Sequence, residues 1–406
     1  MLFARSKARD LNLADAAVRQ DPYPIYAELR RTDPVALVKM PFFGDTYFIS
    51  RYEDVAATFK DPRISNDTMG SSSEHGGWLT PRSFRLMAEN MLSKDDPEHR
   101  RLRDLVHKAF TPSRIRSMVD RVEEITHELL DRAAEKRDVD LIADFALPIP
   151  LIIISEMLGV EAKDREPFHH MTARFLESTN SGVMQMVLQT PNINRMVRFF
   201  ERLLEDRRAN LGDDLLSALI EAEQEGDRLS QDELIGMIFL LLLAGHETTV
   251  NLIGSGLLAL LEHPDEFARL HNDPDLIDSA IEELLRYTNP VELSAPRFPL
   301  EDIEMHGVII PQGHRMLVGV ASANRDETVF ENPDAVDITR KPNRHLAFGL
   351  GVHYCLGAPL ARLEGATAIN AIVQRFPEMQ LMKPINELEW RSSTLVRGLK
   401  SLPVRV

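Results

Sequence analysis

Cysteine is nearly absent: Cys355 is the only one in 406 residues. One cysteine excludes an internal disulfide and fits a reducing, cytoplasmic setting. It also leaves no second thiolate for a cysteine-rich zinc site. Positive charge is short as well, with 47 lysines and arginines against 63 aspartates and glutamates and a net charge of −16. A polyphosphate is repelled by such a balance, so no nucleic acid is expected as partner. Long hydrophobic runs are missing; the longest, Leu234 to Ala244, falls far short of the ~20 residues of a membrane span. The N-terminal MLFARSKARD runs into LNLADAAVRQDP without an apolar h-region, so no signal peptide and no membrane association are expected. No internal repeat is evident. Apolar material is plentiful at 44%, enough for a large core, and the length alone would suggest two domains.

The stretch around Cys355 carries the strongest pattern. RHLAFGLGVHYCLGAPLARLE spans Arg344 to Glu364. Gly349 and Gly351 allow positive φ and a close approach of backbone to a flat ligand. Pro359 suits a first helical turn, and Leu360, Leu363, Ala366, Ile369 and Val373 keep helical spacing on one apolar face. Cys355 therefore sits on a tight loop feeding a helix N-terminus, where amide groups and the helix dipole favour a thiolate and lower its pKa. The plain alternative is a small buried apolar residue, the commonest fate of a lone cysteine. A dinucleotide fingerprint does not fit, because Tyr354 stands where a third glycine belongs.

Phe348, Gly349, Gly351, His353, Cys355 and Gly357 spell F-G-x-G-x-H-x-C-x-G, continuing through LGAPLAR. This resembles the haem-binding loop of the cytochrome P450 family, in which the cysteine thiolate is the axial ligand of the haem iron. The resemblance extends over roughly Asp21 to the end of the chain. It implies a mainly α fold with a minor β portion, forming one domain over residues 1–406 with residues 1–20 as an arm.

The rest of the chain reads in order as follows. A helix is expected from Tyr23 to about Arg31, then two strands within Val35–Ser50 around a Gly-Asp turn, then a helix near Tyr52–Lys60. The turn-rich segment Ile64–Ser93 is too long for a connector; Trp78, Phe84 and Met87 are its candidate pocket residues. Asp95-Asp96-Pro97 opens a helix whose HRRLR puts His99 and Arg103 one turn apart. A solvated basic face is the ordinary meaning of such a run. The resemblance instead implies that His99 and Arg103 bind haem propionates while Arg100, Arg101 and Lys108 face outward. Further helices fill Pro112–Arg137 and Leu141–Gly159. Lys163–Arg208, with Met171, Met184, Met186, Met196 and Phe175, corresponds to the family's lid over the pocket, although core packing explains such methionines equally well.

Ser230 and Glu233 form a capping box for the longest helix, expected to reach Glu262, with Leu229 as a staple on Leu234 or Ile235. Its centre is LLLLAGHETTVNLIG. A helix apolar on nearly every face is buried, so His246, Glu247, Thr248 and Thr249 require a reason. A zinc helix fails because Val250 occupies the place of the second histidine. Thr248 bonding back to the Ala244 carbonyl would be a purely structural reading. The resemblance implies more: A-G-x-[D/E]-T-T matches the family's oxygen-activation motif, making Glu247 and Thr248 catalytic and placing Ala244 and Gly245 beside the haem.

Glu283 and Arg286 share a face of a helix over Asp278–Tyr287 and match the family's E-x-x-R ion pair. VELSAPRF then reads as a strand in which Arg297 corresponds to another propionate ligand, as does His353 in the loop. The family usually places an arginine where Ala335 stands in Pro333-Asp334-Ala335-Val336; Arg340, Arg344 or His345 is then the substitute donor. Leu240, Leu293, Leu395 and Met184 complete the candidate substrate pocket.

The resemblance implies haem b as cofactor and insertion of one atom of O2 into a bulky lipophilic substrate such as a polyketide, macrolide, terpene or steroid. No flavin or iron–sulfur segment is evident, so electrons from NAD(P)H are expected through a ferredoxin or flavodoxin and its reductase, docking on Arg100, Arg101, Lys108 and Arg344. A monomer is expected. The alternatives are a fatty-acid hydroxylase, a peroxygenase driven by H2O2, against which Glu247-Thr248 argues, and a non-catalytic haem sensor, which needs no polar break in a buried helix.

Overall fold

A computed structural model describes residues 9–13, 15–40, 44–67, 81–88, 90–179, 188–224 and 229–406. It is 58% helix and 11% strand, so a mainly α fold with a minor β portion is what these residues form. The organising element is the helix Gln231–Glu262. Its capping box forms as the sequence implies: Ser230 Oγ accepts from Glu233 N at 3.2 Å, and Glu233 Oε2 accepts from Ser230 N at 2.6 Å. Leu229, Leu234 and Ile235 are all buried. The helix is long and apolar enough to cross a membrane by length and composition. Here it threads the core instead, packing against the helices Pro148–Met157, Ile277–Thr288 and Ala358–Arg375.

The helices Ala162–Thr179 and Thr190–Ala209 lie over this core, held by Phe175 and Phe200 packed edge-on against Phe239 at 5.6 and 5.2 Å. Edge-to-face aromatic pairs add about 0.5–1.5 kcal/mol beyond their buried area. Met171 and Met196 are buried in the same cluster, so these methionines are core packing; Met184 and Met186 lie outside the described residues.

A small sheet flanks the helices, in the order Arg9–Asn12, Val35–Met40, Gly44–Ile49, Met316–Val318. The central pair is antiparallel, with Val35 opposite Ile49 and Met40 opposite Gly44. Gly44 and Asp45 are thus paired strand residues rather than the turn that was expected of them. The stretch from Val291 to Arg297 makes isolated bridges to Val396, Gly319 and Met316, and only Phe298–Pro299 is strand.

Glu283 and Arg286 are both fully buried, and two 2.7 Å hydrogen bonds join them. The absent family arginine is replaced by Arg340, whose Nε lies 3.1 Å from both Glu283 oxygens. Asn343 Nδ2 adds a bond to Glu283 Oε2 at 3.1 Å. Ala335 still takes part, through its carbonyl, which accepts from Arg286 Nη2 at 2.9 Å. Removing one partner of such a pair costs about 3–5 kcal/mol, because a charge is left buried and alone.

Candidate active site

The cysteine loop takes its shape from two glycines. Gly349 and Gly351 have φ of +67° and +74°. At Gly351 a Cβ would lie 2.7 Å from the Phe59 carbonyl, so only glycine fits. The loop closes with Cys355 N donating to Phe348 O at 3.0 Å. The helix Ala358–Arg375 begins directly after it. Arg362 stacks over Phe348 at 4.5 Å and pairs with Glu282, which holds the loop against the Ile277–Thr288 helix.

Between this loop and the long helix lies a cavity of about 330 Å³. Its floor is Phe348, Gly349, His353, Cys355 and Gly357; its roof includes Leu240, Ala244, Gly245 and Thr248; one edge is His99, Arg103 and Arg297. Every residue assigned to cofactor binding from the sequence therefore faces one space. Cys355 is exposed by area, yet that exposure is to the cavity, since protein surrounds the thiol on its other sides. Burial pushes its pKa up, while the amides of Gly357 and Ala358 and the charge of Arg103 pull it down. The expected lowering is thus outweighed by desolvation in the protein alone; a coordinating metal cation removes that obstacle, because it deprotonates a thiol outright.

The cationic edge wants an anion. Among the described residues, His99 Nε2 and Arg297 Nε are buried without a hydrogen-bond partner. His99 Nδ1 is 3.4 Å from Asp96, too long and poorly directed for a good bond. Arg297 is lowered to about 10 by burial. His353 is lowered to about 3, first by burial and then by His99, Arg297 and Arg103. The His99 and His353 rings lie 4.0 Å apart. Of the nearby carboxylates, Asp96 is the one beside His99 Nδ1, and Asp95 is taken by Ser65 and the Asn66 amide. A flat group carrying carboxylates at one edge and a metal at its centre fits these residues: anions for the stranded donors, a cation for the thiol.

In the roof, Thr248 Oγ1 donates to Ala244 O at 2.6 Å and Thr249 Oγ1 to Gly245 O at 3.1 Å. The back-bonded geometry is therefore real, and it leaves the Thr248 oxygen lone pairs at the cavity. A Cβ on Gly245 would meet Ile154 Cδ1 at 2.9 Å, so the residue keeps the roof thin. Glu247 is buried and is not part of the cavity lining. His246 Nε2 lies 3.3 Å from Leu147 O, and burial lowers its pKa to about 4.

The outer wall departs from expectation. Leu240 lines the cavity, but Phe84 and Met87 pack, partly buried, against the helical core instead, Leu293 is buried in the cluster beside the sheet, and Leu395 is 37% exposed. Trp78 and Met184 lie outside the described residues. The wall is built from Phe59, Met91, Leu92, Ile154, Met157 and Leu215. Glu364 stands outside the sequence expectations; it lines the cavity, and burial raises its pKa to about 8 against a smaller lowering from Thr249. A carboxylate four residues after Leu360 on the helix's apolar face was its signal. Arg101, expected to point outward, bonds Glu233 at the start of the long helix.

The cytochrome P450 family model matches residues 26–400. The chain belongs to the cytochrome P450 family. As a cytochrome P450 it is a haem-thiolate monooxygenase. It is 41% identical over 389 residues to the polyketide biosynthesis cytochrome P450 PksS of Bacillus subtilis, covering 95% of each chain. The PksS structure superposes with a TM-score of 0.90, covering 97% of this chain and 98% of that one. It is 42% identical to the 6-deoxyerythronolide B hydroxylase of Saccharopolyspora erythraea, over 95% of this chain and 96% of that one. P450BioI, solved with an acyl carrier protein bearing hexadec-9Z-enoic acid, superposes at 0.88 with 34% identity, covering 97% of this chain and all of that one.

Proposed function

We propose that this cytochrome P450 hydroxylates an extended lipophilic acyl or polyketide substrate in the cavity above Cys355. The observation that carries the reading is the wall: Leu240, Ile154, Met157 and Leu215 offer a slot of apolar side chains, with Asn66 and Ser294 as its few polar points. Cys355 would hold the haem b iron, and His99, Arg103, Arg297 and His353 would hold its propionates by charge-assisted bonds. Haem bound there would supply the activation of O2 that puts one oxygen atom into the substrate and releases the other as water. Thr248 accepts or donates a proton at Oγ1, switching from the Ala244 carbonyl toward the cavity. Glu247 passes protons from the far side of the helix, a general acid–base role. Glu364, protonated at neutral pH, holds a further proton beside Thr249. The apolar wall excludes bulk water from these groups.

Electrons come from NAD(P)H through a ferredoxin or flavodoxin and its reductase, in the cytoplasm. Arg100, Lys108 and Arg344 are exposed and form the docking face; Arg101, bound to Glu233, supports the helix they share instead. The names of the relatives, which include a polyketide-biosynthesis enzyme and a macrolactone hydroxylase, support the substrate class, and a neighbour solved with myristic acid supports a linear chain as the alternative. The test is a spectral-shift titration of the haem-loaded protein with C12–C18 fatty acids and with macrolactones, followed by product analysis. A shift and a hydroxylated product with one class are expected. No shift and no product with either would overturn the reading.

A further inference from the structure

We propose that the outer face of the helix Thr190–Ala209, with the adjoining edge of the helix Arg82–Ala88, docks an acidic carrier protein that presents the substrate as a tethered acyl chain. This rests on the acyl or polyketide reading above. Arg195, Arg198 and Arg202 recur at steps of three and four, which puts them on one face. All three are exposed and make no ion pair among the described residues. The opposite face buries Ile193, Met196, Phe200 and Leu203 in the core. Like charges at this spacing repel by a few tenths of a kcal/mol per pair. Their gathering in a chain of net charge −16 is a local concentration of positive charge open to a partner.

Two neighbours widen the stripe. Asn192 Nδ2 bonds Met171 O at 3.0 Å, which lays the start of this helix against the turn carrying the exposed Arg174. Arg82 bonds Glu201 at 2.8 Å and Asp232 at 2.6 Å, which sets the helix bearing the exposed Arg85 against the helix of Arg198 and Arg202. Of the acids close by, Glu201 and Asp232 are held by Arg82, while the exposed Glu205 and Asp206 stand three and four residues after Arg202 and bound the stripe at that end. From Arg85 the chain continues to Met91 and Leu92, both part of the cavity wall, and Leu92 is 40% exposed. The basic surface thus borders the outer wall of the cavity, where a tethered chain must enter.

The partner's chemistry follows. It is acidic, to match the arginines, and it carries its cargo on an arm, because the docking face and the floor at Cys355 are separated by the wall. A bilayer is the poorer match: the apolar residues of the helix point inward, leaving none between the arginines to enter lipid. The electron partner uses a different helix, at Arg100 and Lys108. Attraction of this kind speeds encounter and weakens with salt.

The test uses the haem-loaded protein with a holo acyl carrier protein bearing a hexadec-9Z-enoyl chain, and with free hexadec-9Z-enoic acid. Carrier affinity is read by fluorescence anisotropy and entry of the chain by the haem spectral shift. The variant Arg195→Glu/Arg198→Glu/Arg202→Glu should bind the carrier about tenfold more weakly or worse, and raising NaCl from about 50 to about 300 mM should weaken the wild type in the same direction. The glutamine triple variant should lose less. The shift with the free acid should stay within about twofold in both, and Arg100→Glu/Lys108→Glu should leave carrier affinity unchanged. No carrier binding, wild-type carrier affinity in the glutamate variant, an equal loss for the free acid, or preference for phosphatidylglycerol vesicles would each overturn the proposal. A free-acid shift without carrier binding removes this proposal and leaves the substrate class intact; carrier binding with no shift from either form leaves the docking face and removes the substrate class.

Discussion

The floor and the outer wall of the cavity are built on opposite principles. The floor is one continuous segment, in which Gly349, Gly351 and the Cys355 N to Phe348 O bond position the thiol within ten residues of chain. The wall is assembled from side chains as far apart in sequence as Phe59, Met91, Ile154 and Leu215. Local backbone chemistry holds the reactive centre, and tertiary packing shapes what reaches it. A change in the floor should therefore abolish function, whereas a change in the wall should redirect it.

The cationic edge joins the two, and it should show the largest loss short of the thiol itself. Arg297→Ala removes a buried donor from the anion site, at a cost of about 2–5 kcal/mol. Haem occupancy of purified protein should drop, and retention during dilution should fall by at least about thirtyfold. Full occupancy in Arg297→Ala, and in the alanine variants of His99, Arg103 and His353, would separate this edge from the floor.

The roof comes next. Thr248→Ala keeps the helix and the cavity, because the hydroxyl's bond to Ala244 is dispensable to the fold. Product per NAD(P)H oxidised should fall by about tenfold or more, with hydrogen peroxide rising in its place. Wild-type coupling would shift the proton-handling role to Thr249 and Glu364.

The smallest expected effect is on pH stability. Burial holds His246 and His353 neutral, with folded pKa values near 4 and 3, against about 6.5 unfolded. The folded state then binds fewer protons than the unfolded one below that value. The share of haem-free stability that these two histidines supply should be complete above about pH 6.5 and decline as pH falls toward 4 and below, whereas Glu364, raised to about 8 by burial, works in the opposite sense and loses its share as pH rises from about 4.5 toward 8. His246→Gln should flatten the upper part of that decline in denaturant midpoints. An unchanged slope would mean that carboxylates alone govern it.

The long helix, its cap and the cysteine loop were legible in the sequence because their causes are local. Ser230 and Glu233 sit three residues apart, and the loop's glycines lie within six residues of Cys355. The Glu283–Arg286 pair was equally plain, but the substitute donor was left among three candidates, since only folding brings Arg340 to Glu283. The wall was read poorly. Phe84 and Met87 stand out in the sequence by size, and size does not say which face of a helix meets a cavity and which meets the core. Glu364 follows a motif whose other residues carry the family pattern, and its meaning comes from desolvation, which is a property of the packed state. Arg101 was misassigned for the same reason: its partner, Glu233, lies 132 residues away.

The measurement that bears most directly on the account is the spectrum of the reduced carbon-monoxide complex of wild type and Cys355→Ser. Thiolate ligation from the floor predicts a wild-type band near the wavelength that gives the family its name. It also predicts the loss of that band in Cys355→Ser, even where haem held by His99, Arg103, Arg297 and His353 is retained. A Cys355→Ser protein that keeps the band would contradict the assignment of Cys355 as the ligand.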